Sequence, residues 1–125
     1  AFTAIRSTRP PAPGQPVIFD EVLYNQQGHY DPATGKFTCP VPGLYYFNFH
    51  VSSKGTNVCV SLMRNGVPVM SFCDEYAKGT YQVASGGAVL QLRQGDRVWL
   101  ELDDKQTNGL LGGEGVHSVF SGFLL

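Results

Sequence analysis

Apolar and polar positions alternate along most of this chain, and turn-forming residues break the alternation at short intervals. Between the breaks lie VCVSLMR (58–64), VPVMSFC (67–73), YQVASGGAVLQL (81–92), RVWLEL (97–102) and HSVFSGFLL (117–125). All carry β-branched or aromatic residues. A period of two sends alternate side chains to opposite faces, so each segment reads as a strand. The breaks are PPAPGQP at 10–16, QQGHYDPATGK at 26–36, CPVPG at 39–43, RNG at 64–66, KGT at 78–80, RQGD at 93–96, TNG at 107–109 and GGEG at 112–115. No window keeps a helical three-and-four repeat over three turns, so helix is expected to be nearly absent. Many short strands at regular spacing predict an all-β sandwich or barrel, with the jelly roll among the standard solutions. No linker, internal repeat or second domain is visible, and a single domain is expected over residues 1–125.

One strand departs from a simple wet-and-dry alternation. In GLYYFNFHV (43–51), Tyr45, Phe47, Phe49 and Val51 share one face, while Leu44, Tyr46, Asn48 and His50 share the other. The second face is not plainly solvated. Composition points the same way, because only 15% of residues are charged while 42% are hydrophobic. A quarter charged is the more usual share, so part of the surface is expected to be covered by a partner. A net charge of −1 and a pI near 6.3 argue against nucleic acid or an anionic membrane as that partner. No apolar run approaches the roughly 20 residues that span a bilayer, so membrane insertion is not expected. The chain opens AFTAIRST, without a charged n-region or an apolar h-region, so no signal peptide is expected within it.

Three cysteines, Cys39, Cys59 and Cys73, cannot all pair within one chain, and none lies in a C-x-x-C motif. NVCVSLMRNGVPVMSFC (57–73) reads as a hairpin with two possible registers. A two-residue turn at Asn65-Gly66 pairs Arg64 with Val67 and sets Cys59 opposite Phe72. A three-residue loop pairs Arg64 with Pro68 and sets Cys59 opposite Cys73, within disulfide range. The second register is expected, with Cys39 left buried and inert. Three buried, reduced thiols are the alternative.

No catalytic constellation is visible. G-x-S-x-G, H-E-x-x-H and a phosphate-cradling glycine loop before a helix are all missing. The glycines of SGGAVL and LLGGEG fit bulges or tight turns, because no helix follows them. His29, His50 and His117 fall on separate segments and read as packed or surface residues. An enzyme is not expected. In SFCDEYAKGTYQ (71–82), Asp74 and Glu75 open a loop and Gln82 begins the next strand, which offers hard oxygen donors suited to calcium. A solvated acidic turn is the alternative. DDKQTN (103–108), with Lys105, reads as a hairpin tip or a binding loop.

Phe19, Asn25, Tyr30, Phe37, Gly43, Tyr45 and Phe47 fall at the spacing F-x5-[ND]-x4-aromatic-x6-F-x5-G-x-Y-x-F. That spacing resembles the aromatic signature of the C1q-domain family, and the likeness extends from AFTAIRS at the start to SVFSGFLL at the end. It implies a ten-stranded jelly-roll β-sandwich of the C1q/tumour-necrosis-factor-like type. It also implies a secreted, extracellular domain that trimerises with itself or with paralogous chains, usually at the end of a collagen-like stalk. The strand matching GLYYFNFHV would lie in the inner sheet, with Tyr45, Tyr46, Phe47 and Phe49 supplying core and trimer interface.

NVCV, SFCDEY, QVASGG and SVFSGFLL resemble the globular heads of complement C1q, in which the cysteines matching Cys59 and Cys73 pair. GLYYF, SSKG and LLGGEG are similar to the B-type head in particular. KGTNV, NGVPVM and DEYAKG resemble the network-forming short-chain collagens, YNQQGHYD resembles adiponectin, and AFTAIRST resembles the cerebellins. The resemblance implies calcium held by the side chains of Asp74 and Gln82 and the carbonyl of Glu75. Arg64 matches a B-type arginine. Two B-type arginines linked with immunoglobulin recognition are replaced here by Ile18 and Ala33, which puts antibody binding by that route in doubt. The function implied is an innate-immune recognition head that binds protein ligands or charged, patterned surfaces, with Arg64 and Lys105 as candidate contacts. A trimerisation domain of a network-forming collagen, or a secreted receptor ligand like adiponectin or cerebellin, is the alternative.

Overall fold

Strands account for the regular structure among the described residues. A computed structural model describes residues 1–5, 15–54, 58–74, 81–102 and 118–125, with side chains for all of these but 52–54, 58, 59, 72–74, 81–84 and 102. Among the described residues ten strands run in order: β1 (Phe2–Ile5), β2 (Glu21–Tyr24), β3 (Tyr30–Asp31), β4 (Lys36–Thr38), β5 (Gly43–Lys54), β6 (Val58–Arg64), β7 (Val67–Asp74), β8 (Tyr81–Leu92), β9 (Arg97–Leu102) and β10 (Val119–Leu124). They form two antiparallel sheets of five, in the orders β2-β1-β10-β5-β8 and β3-β4-β9-β6-β7. The chain changes sheet between β2 and β3, β4 and β5, β5 and β6, β7 and β8, β8 and β9, and β9 and β10, which is the jelly-roll pattern expected. Among the described residues no helix is long and apolar enough to cross a membrane.

The core between the sheets is built from aromatic rings. Phe2 stacks on Tyr30 at 4.7 Å between centroids and meets Phe120 edge-on at 5.1 Å. Phe37 meets Phe47 edge-on at 5.5 Å, so rings from both sheets interlock. Such pairs contribute about 0.5–1.5 kcal/mol each beyond the area they bury. The rings leave no room at Gly122, where a Cβ would lie 2.6 Å from Phe47 Cδ1 and 2.8 Å from Phe2 Cε1.

The spaced aromatic signature has a physical basis. The buried Tyr30 hydroxyl accepts the Phe19 N–H at 3.1 Å and donates to the Phe19 carbonyl at 2.8 Å. It thereby replaces a strand partner for backbone that would otherwise be buried unsatisfied. Burial is the main reason its phenol titrates well above the ordinary range. Asn25 brackets Tyr30 in the same way, accepting its N–H at 3.2 Å and donating Nδ2–H to its carbonyl at 2.7 Å. Gly43 lies beside Leu124, 3.1 Å from where its Cβ would stand.

Three local readings are corrected. The 26–36 region holds more than a turn, because β3 and β4 pair across it. Asp31 organises that hairpin by accepting the Ala33 N–H on its side chain and the Gly35 N–H on its carbonyl, both at 2.8 Å. The RNG turn takes two residues, with Asn65 at φ 53° and Gly66 at φ 85°, and Arg64 pairs with Val67 rather than Pro68. A register shift beyond Leu62 then inserts one extra residue on β7, so Cys59 still stands opposite Cys73. The glycines of SGGAVL make no bulge, since Gly86 and Gly87 pair in register with Phe49 and Asn48 in the middle of β8. Gly87 is small for another reason. A Cβ there would lie 2.9 Å from the hydroxyl of Tyr46.

Candidate functional site

The outer face of the first sheet is built by the same alternation that fills the core. Tyr45, Phe47, Phe49 and Val51 of β5 point inward and are at most 3% exposed. Leu44, Tyr46, Asn48 and His50 point the other way, as the sequence pattern predicts. Strand register extends this outer face into rows, because directly opposed residues share a face. Phe123, Tyr46 and Val89 form one row across β10, β5 and β8. The rings of Tyr46 and Phe123 lie 5.5 Å apart and tilted, and the Tyr46 hydroxyl end rests over Gly87. Leu44 borders this row at 49% exposure, with Val89 at 54% and Phe123 at 41%. Thr3, Ser121, Asn48 and Gly87 make a polar or small row beside it, in which Ser121 Oγ–H donates to Thr3 Oγ1 at 3.1 Å. His50 Nδ1 and Ser85 Oγ share a hydrogen bond of 2.7 Å in the next row. A contiguous apolar stripe rimmed by hydroxyls, an amide and an imidazole is the anatomy of a protein interface.

The other predicted residues are placed as follows. Of Tyr45, Tyr46, Phe47 and Phe49, only Tyr46 turns outward and the rest belong to the core. The Tyr45 hydroxyl donates to the Val41 carbonyl at 2.6 Å, beside the Cys39 thiol on the same carbonyl at 3.1 Å. Burial, and then the Cys39 neighbour, push its phenol up to about 12. Cys39 is a free thiol, 1% exposed, as expected. Asp74 closes β7 opposite Val58, and Gln82 lies opposite Ser53 near the start of β8. Both therefore sit at the end of the sandwich away from Arg64. Glu75 and Lys105 lie outside the described residues, as does the LLGGEG glycine segment. Ile18 and Ala33, far apart in sequence, line one groove of about 280 Å³ with Gln15, Thr34 and Lys36. Lys36 also lies 4.5 Å above the Trp99 ring.

Arg64 ends β6 at the opposite pole. It opens onto a cleft of about 520 Å³ shared with Gly43, Gln91, Arg93 and Asp96. The Asp96 carboxylate accepts the Arg93 N–H at 2.8 Å and Asn65 Nδ2–H at 3.0 Å. The Arg93 amide, then the Asn65 amide, and then the nearby Arg64 and Arg93 charges hold its carboxyl below the ordinary value. Sequence reasoning missed Phe123, Val89, Arg93 and Asp96. Phe123 and Val89 were accessible to it, since both fall in phase with polar or small neighbours on their strands, as Tyr46 does. Among the described residues no group of three or more His, Cys, Asp or Glu side chains could hold a metal.

A family model described as the C1q domain matches residues 1–125. The collagen alpha-1(X) chain of Mus musculus is 54% identical over 125 residues, which is 100% of this chain and 18% of that one. The B-type polypeptide of the complement C1q subcomponent of Homo sapiens is 52% identical over 129 residues, covering 100% of this chain and 49% of that one. Among solved structures, the globular domain of zebrafish complement 1qA protein superposes with a TM-score of 0.85 at 41% identity, covering 99% of this chain and 95% of that one. The chain thus spans half or less of the length of these two curated relatives.

Proposed function

The chain belongs to the C1q-domain family of non-catalytic recognition and structural domains, and on that premise we propose that it is a trimeric ligand-recognition head. The observation that carries this reading is the exposed Phe123–Tyr46–Val89 row on an otherwise well-packed sandwich. Copies of the chain cover that row in the trimer, which explains an aromatic strand with no wet side. The assembled head is secreted, borne on a collagen-like stalk, and binds charged or patterned surfaces weakly at each site. Presenting several heads together multiplies the apparent affinity by about 10² to 10⁴. The test compares trimers presented singly and on a multimeric scaffold, against anionic surfaces and immune complexes. Equal binding by the two forms would sink the avidity reading.

Calcium and a disulfide belong to the same reading. The donor set of Asp74, Glu75 and Gln82 supplies carboxylate, carbonyl and amide oxygens, which suit calcium. Calcium should raise the melting temperature, because it binds only the folded protein. An Asp74→Ala variant with an undiminished rise would remove the site from the account. Directly opposed residues on antiparallel strands lie about 4.5–5.5 Å apart at Cα, within the span of a disulfide, and Cys59 and Cys73 are opposed. One free thiol per chain in denaturant is expected, and three would refute the pairing.

A second reading has its own support. Val22, Leu23 and Tyr24 of β2 are all exposed, and the family resemblance sets Ile18 and Ala33, which line one groove, where the B-type head carries two arginines. An exposed apolar strip suits lateral packing in a collagen network better than recognition of charge. Ordered lateral association of trimers under conditions where no charged ligand binds would favour this reading.

A further inference from the structure

The cleft at the Arg64 pole lies where the two sheets open. Arg64 is in phase with the inward residue Leu62 and pairs across β9 with the buried Val98, so its side chain leaves the strand toward the gap between the sheets. There it spans to the other sheet and donates to the carbonyl of Gln91 on β8 at 3.4 Å, a long bond. A guanidinium carries five donors, so most of its hydrogen-bonding capacity is left for a ligand. Among the described residues neither Arg64 nor Arg93 forms an ion pair. The one acid of the cleft, Asp96, is engaged in bracing its own turn through Arg93 N–H and Asn65.

We propose that this cleft is a binding site for a singly charged acidic sugar, a ring bearing one carboxylate or one sulfate ester. The planar fork of Arg64 matches a carboxylate or sulfate edge in two-point contact. Two guanidiniums against one carboxylate leave a net charge of about +1, which attracts an anionic group. Gln91 and Asp96 supply acceptors for ring hydroxyls. The volume of about 520 Å³ falls within the range of small-molecule sites and fits one or two sugar rings. Arg64 thus gains a defined ligand class, at the pole opposite Asp74, and this site does not depend on the state of the calcium loop.

The test is titration of the ¹⁵N-labelled protein, followed at the arginine Nε–H signals and the Gln91 and Arg93 amides. Glucuronate and glucose 6-sulfate are the two acidic probes, with glucose as the neutral control. Saturable shifts from either acid, weakened by salt and not produced by glucose, are expected. A response to one acid and not the other supports the site and identifies which group it reads. Arg64→Met keeps the aliphatic stem and should weaken binding about tenfold or more, the effect of losing a charge-assisted contact. Arg93→Gln, on an exposed turn, should weaken it severalfold with an unchanged melting temperature. No saturable shift with either acid, equal shifts with glucose, or binding that survives both substitutions overturns the proposal.

Discussion

The two faces of β5 are made of nearly the same chemistry and have different fates. Inward, Tyr45, Phe47, Phe49 and Val51 are sealed by rings from the opposite sheet and by β1 and β10. Outward, Leu44 and Tyr46 lie beside Phe123 and Val89, where Leu44, Phe123 and Val89 remain 41–54% exposed. The difference is therefore not hydrophobicity but who covers it. One face is completed within the chain, and in the proposed trimer the other is completed by its copies. Glycine serves both, since Gly122 lets inner rings approach and Gly87 lets Tyr46 lie flat across β8.

Substitutions on the two faces should separate stability from assembly. The largest loss is expected for Phe47→Ala, which opens a cavity in the ring cluster and should lower unfolding free energy by about 3–5 kcal/mol in denaturant titration. Gly122→Ala comes next. Its methyl group overlaps Phe47 and Phe2, and overpacking of this kind costs about 1–3 kcal/mol. Phe123→Glu reverses the pattern. The stability of the single chain should change by only about 0.5 kcal/mol, while assembly is lost, because the carboxylate would be buried unpaired at the interface. If Phe123→Glu instead unfolded the chain while leaving its mass intact, the distinction between the faces would fail.

The smallest effect is far from both faces. Asp96 titrates below its ordinary value of 3.8, so the folded state favours its charged form. That stability is present above the unfolded value and is lost as pH falls through the folded one. Asp96→Asn should accordingly lower stability slightly at neutral pH and flatten the curve on its acid side, so that the two proteins converge below about pH 4. A curve parallel to the parent's in acid would contradict the hydrogen-bonding assigned to this carboxylate.

Much of the fold was legible because alternation and turn residues act locally. The long strands followed from period two, and so did the outward turn of Leu44, Tyr46, Asn48 and His50 on β5. What escaped depended on contacts across the sandwich. Tyr30 reaches Phe19 with its hydroxyl, and no local pattern reveals a side chain standing in for a strand. The β6–β7 hairpin combined the turn of one expected register with the cysteine pairing of the other, because a bulge at its far side restored the count. Gly87 read as a bulge or tight turn because its reason, the Tyr46 ring, sits on a neighbouring strand. Likewise Arg64 comes from one turn and Arg93 and Asp96 from another, so their cleft exists only once both sheets are closed.

The most direct test of the central claim is the solution mass by sedimentation, over a range of concentrations and with calcium present. Coverage of the outer face by copies of the chain predicts a stable species of about 41 kDa, three chains of 13.6 kDa, which Phe123→Glu reduces to one. A parent protein that stays at 13.6 kDa at every concentration would contradict it, and the Phe123–Tyr46–Val89 row would then not be a contact between copies of this chain.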